Sequence, residues 1–203
     1  MNDITFRAIR GAGELSANAF LVEVDGLGLL LDAGARPGRR PTWVEGLERP
    51  DLCWISHAHF DHVGGLAALM ESHVGLPCLA TATTRKLAAH AVAAGGVERA
   101  RAEAVASQLQ AIGWRRYFDV SRLSPHEAAQ KMRLMAFPAG HIPGAAMLLV
   151  EVDAGDESPF RILYTGDFCA HDQPLVDGAL FPKTGPEFSI GALIMEGGLA
   201  TNK

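Results

Sequence analysis

Residues 52–65 read LCWISHAHFDHVGG, and this stretch decides how the rest of the chain is interpreted. The apolar run from Leu52 to Ser56 predicts a short buried strand, which the histidine cluster follows directly. Four candidate metal ligands fall within six residues: His57, His59, Asp61 and His62. Imidazole nitrogens and carboxylate oxygens are the usual protein ligands of zinc and other divalent ions. The stretch therefore predicts a metal site at the end of a buried strand.

The spacing within the cluster suits two ions better than one. His57 and His59 are two residues apart, so in an extended turn their side chains can point the same way. Asp61 and His62 come after the chain bends and can face a second ion, as two-metal hydrolases require. The alternative is that these histidines are surface loop residues that bind no metal. That interpretation would be favoured for a single histidine but not for the whole cluster.

Composition narrows the class of protein. The chain has 203 residues, 48% of them hydrophobic and 20% charged, which predicts one packed domain spanning 1–203. The net charge of −5 and the pI of about 5.9 argue against a strongly basic nucleic-acid-binding surface. Three scattered cysteines without a CxxC pair favour a reducing compartment. Without a signal-like or membrane-spanning apolar run, we expect a cytoplasmic protein with no membrane partner.

Hydrophobic patterning predicts strands, then helices, then strands again. This order is typical of an α/β sandwich in which helices cover the sheets. The predicted strands are 4–9, 18–24, 27–31, 52–56, 76–80, 131–137, 145–152, 160–164 and 191–195, and the predicted helices are 66–73, 83–94 and 97–112. Five polar residues come directly after predicted strands: Asp32, His57, His141, Asp167 and Glu196. Because strand ends converge on one edge of a sheet, we expect these side chains to meet.

These motifs, in this order, resemble the metallo-β-lactamase superfamily through nearly the whole chain. Its first motif matches Asp32 in LLLDAG, its second His57 to His62, its third His141 in GHIPGAAM, and its fourth Asp167 in YTGDF. The last two motifs resemble the β-CASP nuclease branch, which includes the mRNA 3′-end cleavage endonuclease. The resemblance implies a four-layer αββα sandwich, here its N-terminal part, incomplete at the C-terminal side.

The resemblance also implies a role for each residue. His57, His59 and His141 would hold one metal, Asp61 and His62 the second, and Asp167 would bridge both. Asp32 would orient the metal loop through hydrogen bonds. Asp61, Asp167 and Glu196 would take part in catalysis, with water activated by the two cations as the nucleophile. The ions would be Zn²⁺, with Mn²⁺ or Fe²⁺ as alternatives.

The sequence departs from the family pattern near its end. The continuation after Glu196 is GGLA instead of the family's STYG. The superfamily's last ligand histidine and the general-acid histidine of the β-CASP branch would lie beyond Lys203. Three explanations of this departure remain open: a truncated chain, a naturally short variant, or one half of a split enzyme. A homo-oligomer or a C-terminal partner chain is therefore also possible. We expect an exposed apolar face in each case.

Three functions follow as alternatives. The first is a metal-dependent phosphodiesterase, a nuclease acting on RNA or single-stranded nucleic acid. The second is a small-molecule hydrolase of the same fold, acting on thioesters, lactones or lactams, which the acidic net charge favours. The third is a non-catalytic metal-binding fragment that needs a partner chain.

Overall fold

The computed structural model describes residues 2–11, 17–155 and 157–195. Its strands are β1 Ile4–Arg10, β2 Ala19–Val24, β3 Leu27–Leu31, β4 Leu52–Trp54, β5 Cys78–Thr81, β6 Gln110–Ile112, β7 Phe118–Asp119, β8 Met132–Pro138, β9 Ala146–Ala154, β10 Glu157–Tyr164 and β11 Ala192–Ile194. Its α-helices are α1 Phe60–Val63, α2 Leu66–Ser72, α3 Ala82–Ala94 and α4 Arg99–Ser107. Short 3₁₀ helices cover Thr42–Gly46, Val120–Arg122 and Glu127–Lys131.

The first sheet has the order β1-β2-β3-β4-β5-β6. β1 to β3 form antiparallel pairs, and β3 to β6 run parallel to one another. The turn between β2 and β3 is tight because Asp25 and Gly26 both have positive φ, at 48° and 86°, as a two-residue hairpin requires. The parallel run brings the carboxyl ends of β3 and β4 to the same edge of the sheet.

The second sheet has the order β11-β10-β9-β8-β7. Its strands pair antiparallel except β11, which runs parallel to β10. The two sheets pack face to face over an apolar core that includes Leu29 and Trp54 from the first sheet and Leu148, Val150 and Ile162 from the second. These side chains are almost completely buried, and such burial is the main term that stabilises the sandwich.

The four α-helices cover the other face of the first sheet. Their buried side chains join a second apolar core with residues of β3 and β4, for example Val63, Leu66 and Val92 against Leu30 and Cys53. Three layers of the predicted αββα order are therefore present: helices, first sheet and second sheet. No helix of the described residues would cross a membrane.

The outer face of the second sheet is covered differently. The segment 165–191, which contains no helix or strand of the sheets, packs Phe168 and Phe188 over Phe137, Met147 and Leu149. Large apolar side chains stay exposed along this side: Leu175, Leu180, Phe181, Leu193 and Met195. The fold is thus the predicted α/β sandwich, and the expected exposed apolar face lies on this side.

One predicted helix is wrong in its second half. The pattern over 97–112 predicts a single helix, but the chain forms α4 and then β6, which pairs with β5 from Gln110 to Ile112. A three-residue strand is too short to show a period of two, so the apolar spacing of α4 masks it. The two-residue β7 carries no pattern of its own and was not predicted. The remaining predicted elements lie within three residues of the observed bounds.

Candidate metal centre

The metal loop begins where β4 ends. His57 follows Ser56 in extended chain, and His59 has extended backbone angles, φ −75° and ψ 149°, at the start of α1. The chain bends there, so Asp61 and His62 lie on the single turn of α1. The predicted division of the loop into an extended half and a bent half is therefore what the structure contains.

Two further loops approach the metal loop from the second sheet. His141 lies in the turn between β8 and β9, and Asp167 follows β10. Gly166, with φ +52°, precedes Asp167, and a Cβ there would lie 2.8 Å from the side chain of Ser56. The backbone beside Asp167 can approach the metal loop this closely only because residue 166 lacks a side chain.

Four side chains direct one ligand atom each towards a common point. The Nδ1 of His59 lies 3.1 Å from His57 Nε2 and 3.0 Å from His141 Nε2. The Oδ2 of Asp167 lies 3.8 Å from His57 Nε2 and 3.6 Å from His141 Nε2. All four atoms lie within 4.8 Å of one another. Residues from three separate loops thus form one cluster.

This cluster fits a divalent cation. Nitrogen ligands at ~2.0–2.1 Å from a tetrahedral zinc lie about 3.3 Å apart, close to the separations between these rings. Burial and the neighbouring His62 hold the pKa of His57 well below its usual value, and burial and His141 lower the pKa of His59. Neutral imidazole is the form that binds a metal, so the environment favours the ligand state.

His62 occupies the other side of Asp167. Its Nδ1 lies 2.6 Å from Asp32 Oδ2, and its Nε2 lies 3.1 Å from Asp167 Oδ1. Asp61 Oδ2 lies 3.8 Å from the same Nε2. The two carboxylate oxygens of Asp167 therefore face different groups, Oδ2 the four-residue cluster and Oδ1 His62. This is the arrangement expected of a residue that bridges two cation positions.

Strong electrostatic coupling marks this second position. Burial alone would lower the pKa of His62, but the carboxylates of Asp32 and Asp167 outweigh it and raise that pKa to about 10. Burial alone would raise the pKa of Asp167, but His62 and His57 outweigh it and lower that pKa to about 2. Without a cation, the imidazolium and the carboxylate form an ion pair.

Asp32 is fully buried and holds the metal loop together. It adopts φ +63°, the left-handed region that non-glycine residues rarely occupy. Its carboxylate accepts hydrogen bonds from Ser56 N–H at 2.6 Å, Ser56 Oγ–H at 2.7 Å and Tyr164 O–H at 2.5 Å, besides its contact with His62. Burial and Asp32 raise the pKa of Tyr164 well above its usual value. The phenol therefore remains a donor.

Three residues near the centre were not predicted: Ser56, Tyr164 and Asn18. Ser56 and Tyr164 precede motif residues, yet serine and tyrosine at strand ends give no sequence signal for this role. Asn18 contacts His62 Nε2 through Nδ2 at 2.9 Å, and its backbone N–H donates to Asp61 O at 2.6 Å. Only the folded chain brings it from before β2 to the metal loop.

Glu196 lies outside the described residues. The ring of His171 contacts Cys169 Sγ through Nε2 at 3.5 Å and does not belong to the four-residue cluster. The role of each site residue stays a prediction. Asp32 is the predicted support and Glu196 a predicted catalytic residue, and the predicted ligands are His57, His59, Asp61, His62, His141 and Asp167.

The fold and the cluster define a class, and comparison with known families gives the same one. A family model described as the metallo-beta-lactamase superfamily matches residues 12–178. The chain belongs to this superfamily. The predicted resemblance and fold are thereby confirmed, and with them the binding of divalent metal that this fold implies.

Individual relatives are similar over most of the chain. The chain is 35% identical over 148 residues to an uncharacterized protein of Synechocystis sp., covering 72% of the chain and 23% of that protein. It is 29% identical over 194 residues to cleavage and polyadenylation specificity factor 73 of Drosophila melanogaster, covering 89% and 27%. It is 26% identical over 219 residues to endoribonuclease ysh1 of Aspergillus fumigatus, covering 99% and 24%. The chain thus spans about a quarter of the length of these relatives.

A solved structure shows the same fold. A metallo-beta-lactamase from Cronobacter sakazakii superposes with a TM-score of 0.53 at 20% identity, covering 84% of this chain and 66% of that one. At this identity the likeness concerns the architecture alone.

Proposed function

We propose that this chain is the metal-binding part of a phosphodiesterase, a nuclease of the β-CASP branch that cleaves RNA or single-stranded nucleic acid. The observation that carries the proposal is the convergence of His57, His59, His141 and Asp167 beside His62. The similarity to a protein named endoribonuclease, over 99% of the chain, supports phosphodiester as the substrate class. In this proposal residues 1–203 are the N-terminal part of one metallo-β-lactamase domain in a cytoplasmic protein.

We propose two divalent ions, Zn²⁺ first and Mn²⁺ or Fe²⁺ as alternatives. His57, His59 and His141 would hold one ion, Asp61 and His62 the other, and Asp167 would contact both. Bound cations supply an acidified water and stabilise negative charge that develops on the substrate. A nitrogen-rich set with carboxylates suits zinc.

The chain's own residues orient this site. Asp32 Oδ2 lies 2.6 Å from Nδ1 of His62 and would accept its hydrogen bond when His62 binds a cation through Nε2, the atom that faces Asp167 and Asp61. Tyr164 and Ser56 donate hydrogen bonds to Asp32, and these hold its buried side chain in place. We propose that Glu196 contributes to catalysis and that the last histidine ligand comes from a continuation of the chain or from a partner.

The acidic net charge of −5 favours a second candidate, a hydrolase of thioesters, lactones or lactams. Such substrates are small and need no extended basic surface. They would use the same metal positions, with a carbonyl carbon in place of phosphorus as the electrophile.

One assay separates the two candidates. The zinc-loaded chain is mixed in parallel with bis-(p-nitrophenyl) phosphate, a labelled single-stranded RNA and a chromogenic thioester, and His57→Ala serves as the inactive control. We expect turnover of the two phosphodiesters and loss of that turnover in the variant. Hydrolysis of the thioester with no phosphodiester cleavage would contradict the nuclease proposal. The third alternative is a non-catalytic fragment that needs a partner chain. Comparing turnover with and without a candidate C-terminal partner chain tests it, because a required partner should raise turnover.

A further inference from the structure

A short exposed turn joins the two sheets on the side of the sandwich away from β1. It consists of Trp114, Arg115, Arg116 and Tyr117 and is called the WRRY turn here. Trp114 is 41% exposed and Tyr117 40% exposed, and both arginines are exposed. Neither arginine forms an ion pair with a described residue, although the chain as a whole carries a charge of −5. Two cations between two aromatic rings thus face solvent.

The fold places this turn at the same end of the sandwich as the metal centre. β6 leads into the turn, and its last residue, Ile112, pairs with Thr81. The hydroxyl of Thr81 donates to Gly144 O, at 2.8 Å, in the loop that carries His141. Trp114 itself bridges to Ala136 on β8, the strand that runs into the His141 loop. A polymer bound across the metal loop and extending towards β6 would therefore meet this turn.

The turn is held in a fixed conformation. Arg115 has φ +53°, and its N–H donates to Ala136 O at 2.8 Å. A non-glycine residue in this region is strained, and the contacts of the surrounding structure must outweigh that strain. Tyr117 donates its O–H to the buried Glu151 at 2.9 Å, and the guanidinium of Arg133 lies 4.3 Å from the centre of its ring. A preorganised surface loses less entropy on binding than a flexible one.

We propose that the WRRY turn is a binding subsite for single-stranded nucleic acid, in which a base stacks on Trp114 and phosphates contact Arg115 and Arg116. This inference rests on the proposed nuclease function and names the part of the surface that holds the substrate outside the metal centre. Single strands are bound without sequence preference by such a combination of aromatic platforms and cations. The local patch also explains how an acidic protein would hold an anionic substrate, because binding depends on the charge at the site and not on the net charge of the chain.

The test is a binding measurement made without metal, so that it does not depend on cleavage. A fluorescein-labelled single-stranded RNA is titrated in EDTA, with fluorescence anisotropy as the readout. The variants are Trp114→Ala, Trp114→Phe and the double variant Arg115→Ala/Arg116→Ala. The matched control is Arg7→Ala/Arg99→Ala, which removes two exposed arginines, Arg7 from the opposite edge of the first sheet and Arg99 from α4. Thermal unfolding of each variant checks that the fold is intact.

We expect Trp114→Ala to weaken binding about fivefold or more and Trp114→Phe to restore most of the loss, because either ring can stack on a base. The double variant should reduce the slope of log affinity against log salt by about 1.4, since each phosphate contact to a single strand contributes about 0.7. The control should retain the wild-type slope. A purely structural role for the turn would not change this slope.

Two results would overturn the inference: no RNA binding by the wild-type chain, or equal affinity and salt slope in wild type and both turn variants. If those variants bind normally while the wild-type chain with zinc cleaves RNA, the subsite is wrong and the nuclease proposal stands. If binding depends on the turn but no phosphodiester is cleaved with metal present, the subsite stands and the nuclease proposal falls.

Discussion

Two clusters of ionisable side chains contain residues from the second sheet or the loops that follow its strands, and each is built around one carboxylate. In the first, Asp167 faces imidazoles whose nitrogens lie 3.0 to 3.1 Å apart. In the second, the buried Glu151 accepts hydrogen bonds from Arg161 Nε at 2.6 Å, from Tyr117 and from Arg133. The donors of Glu151 are two guanidinium groups and a phenol O–H, which all direct protons at the carboxylate, whereas neutral imidazoles keep lone pairs.

This difference separates a structural cluster from a binding site. The Glu151 cluster uses its acceptor atoms on its own donors, and Arg161 Nη1 is its one buried side-chain nitrogen without a hydrogen-bond partner among the described residues. The Asp167 cluster directs several acceptor atoms at one point and needs a cation to satisfy them. Burial alone therefore does not distinguish a binding site from a structural cluster. Acceptor atoms that point at a common position without a donor do.

The largest expected effect is a loss of stability on disruption of the Glu151 cluster. Glu151→Gln should lower the free energy of unfolding by about 3–5 kcal/mol, because it leaves the buried guanidinium of Arg161 without its counter-charge. Urea denaturation measures this loss. Glu103→Gln, which removes an exposed partner of Arg99 on α4, serves as the control and should change stability by less than about 0.5 kcal/mol. Bound metal should be unchanged in both variants, and a loss of metal in Glu151→Gln would remove the distinction between the clusters.

Disrupting the Asp167 cluster should instead lower metal content and activity more than stability. Among the described residues, Asp167 is the one that faces both proposed cation positions. In Asp167→Ala we therefore expect metal content to fall and phosphodiester hydrolysis to drop by ~100-fold or more, at least the loss typical of residues that merely support ligands. Elemental analysis and turnover of bis-(p-nitrophenyl) phosphate measure the two effects. Full activity in this variant would mean that Asp167 is not a ligand.

Asp32→Asn tests the support of the metal loop. The substitution keeps the shape of the side chain but removes the charge that fixes His62, and the affinity for zinc should fall by about 10- to 100-fold. Competition with a chromogenic chelator measures this affinity. Asp51→Asn, which lies at the other end of β4 and accepts from Gly28 N–H, is the matched control. Equal zinc affinity in the two variants would contradict the role of Asp32.

The smallest expected effect is a pH dependence of the structural cluster. Burial would raise the pKa of Glu151, but its bonds to Tyr117, Arg161 and Arg133 outweigh burial and lower that pKa below its usual value. A lowered pKa contributes stability that is present above the unfolded value of about 4.3 and is lost as the pH falls through the folded value. The stability difference between wild type and Glu151→Gln should therefore shrink below about pH 4. A difference that stays constant down to pH 3 would contradict this account.

The sequence predicted the loops of the centre better than the contacts that fix them. His57, His141 and Asp167 could be expected to meet because each follows a predicted strand, and strand ends share an edge. His59 lies two residues after His57 in the same loop. Ser56, Tyr164 and Asn18 could not be found in this way. Their roles depend on distances across the two sheets and on the left-handed backbone of Asp32, which no spacing in the sequence encodes.

The same limit applies to the fold. Long apolar patterns predicted most strands and helices, because burial on one face imposes a period. β6 and β7 are only three and two residues long, so their existence depends on pairing with β5 and β8. Tertiary context decides such short elements. The WRRY turn lies between these two strands, and for that reason its position at the end of the sandwich that carries the metal centre could not be predicted.

The contact between His62 and Asp32 also provides a spectroscopic handle. A ring N–H held 2.6 Å from a buried carboxylate is shielded from solvent exchange. It should give a slowly exchanging, far-downfield proton resonance in nuclear magnetic resonance spectra. Because Nδ1 faces Asp32 while Nε2 faces the cation positions, this one resonance would remain visible during a zinc titration and would report on the filling of the second position.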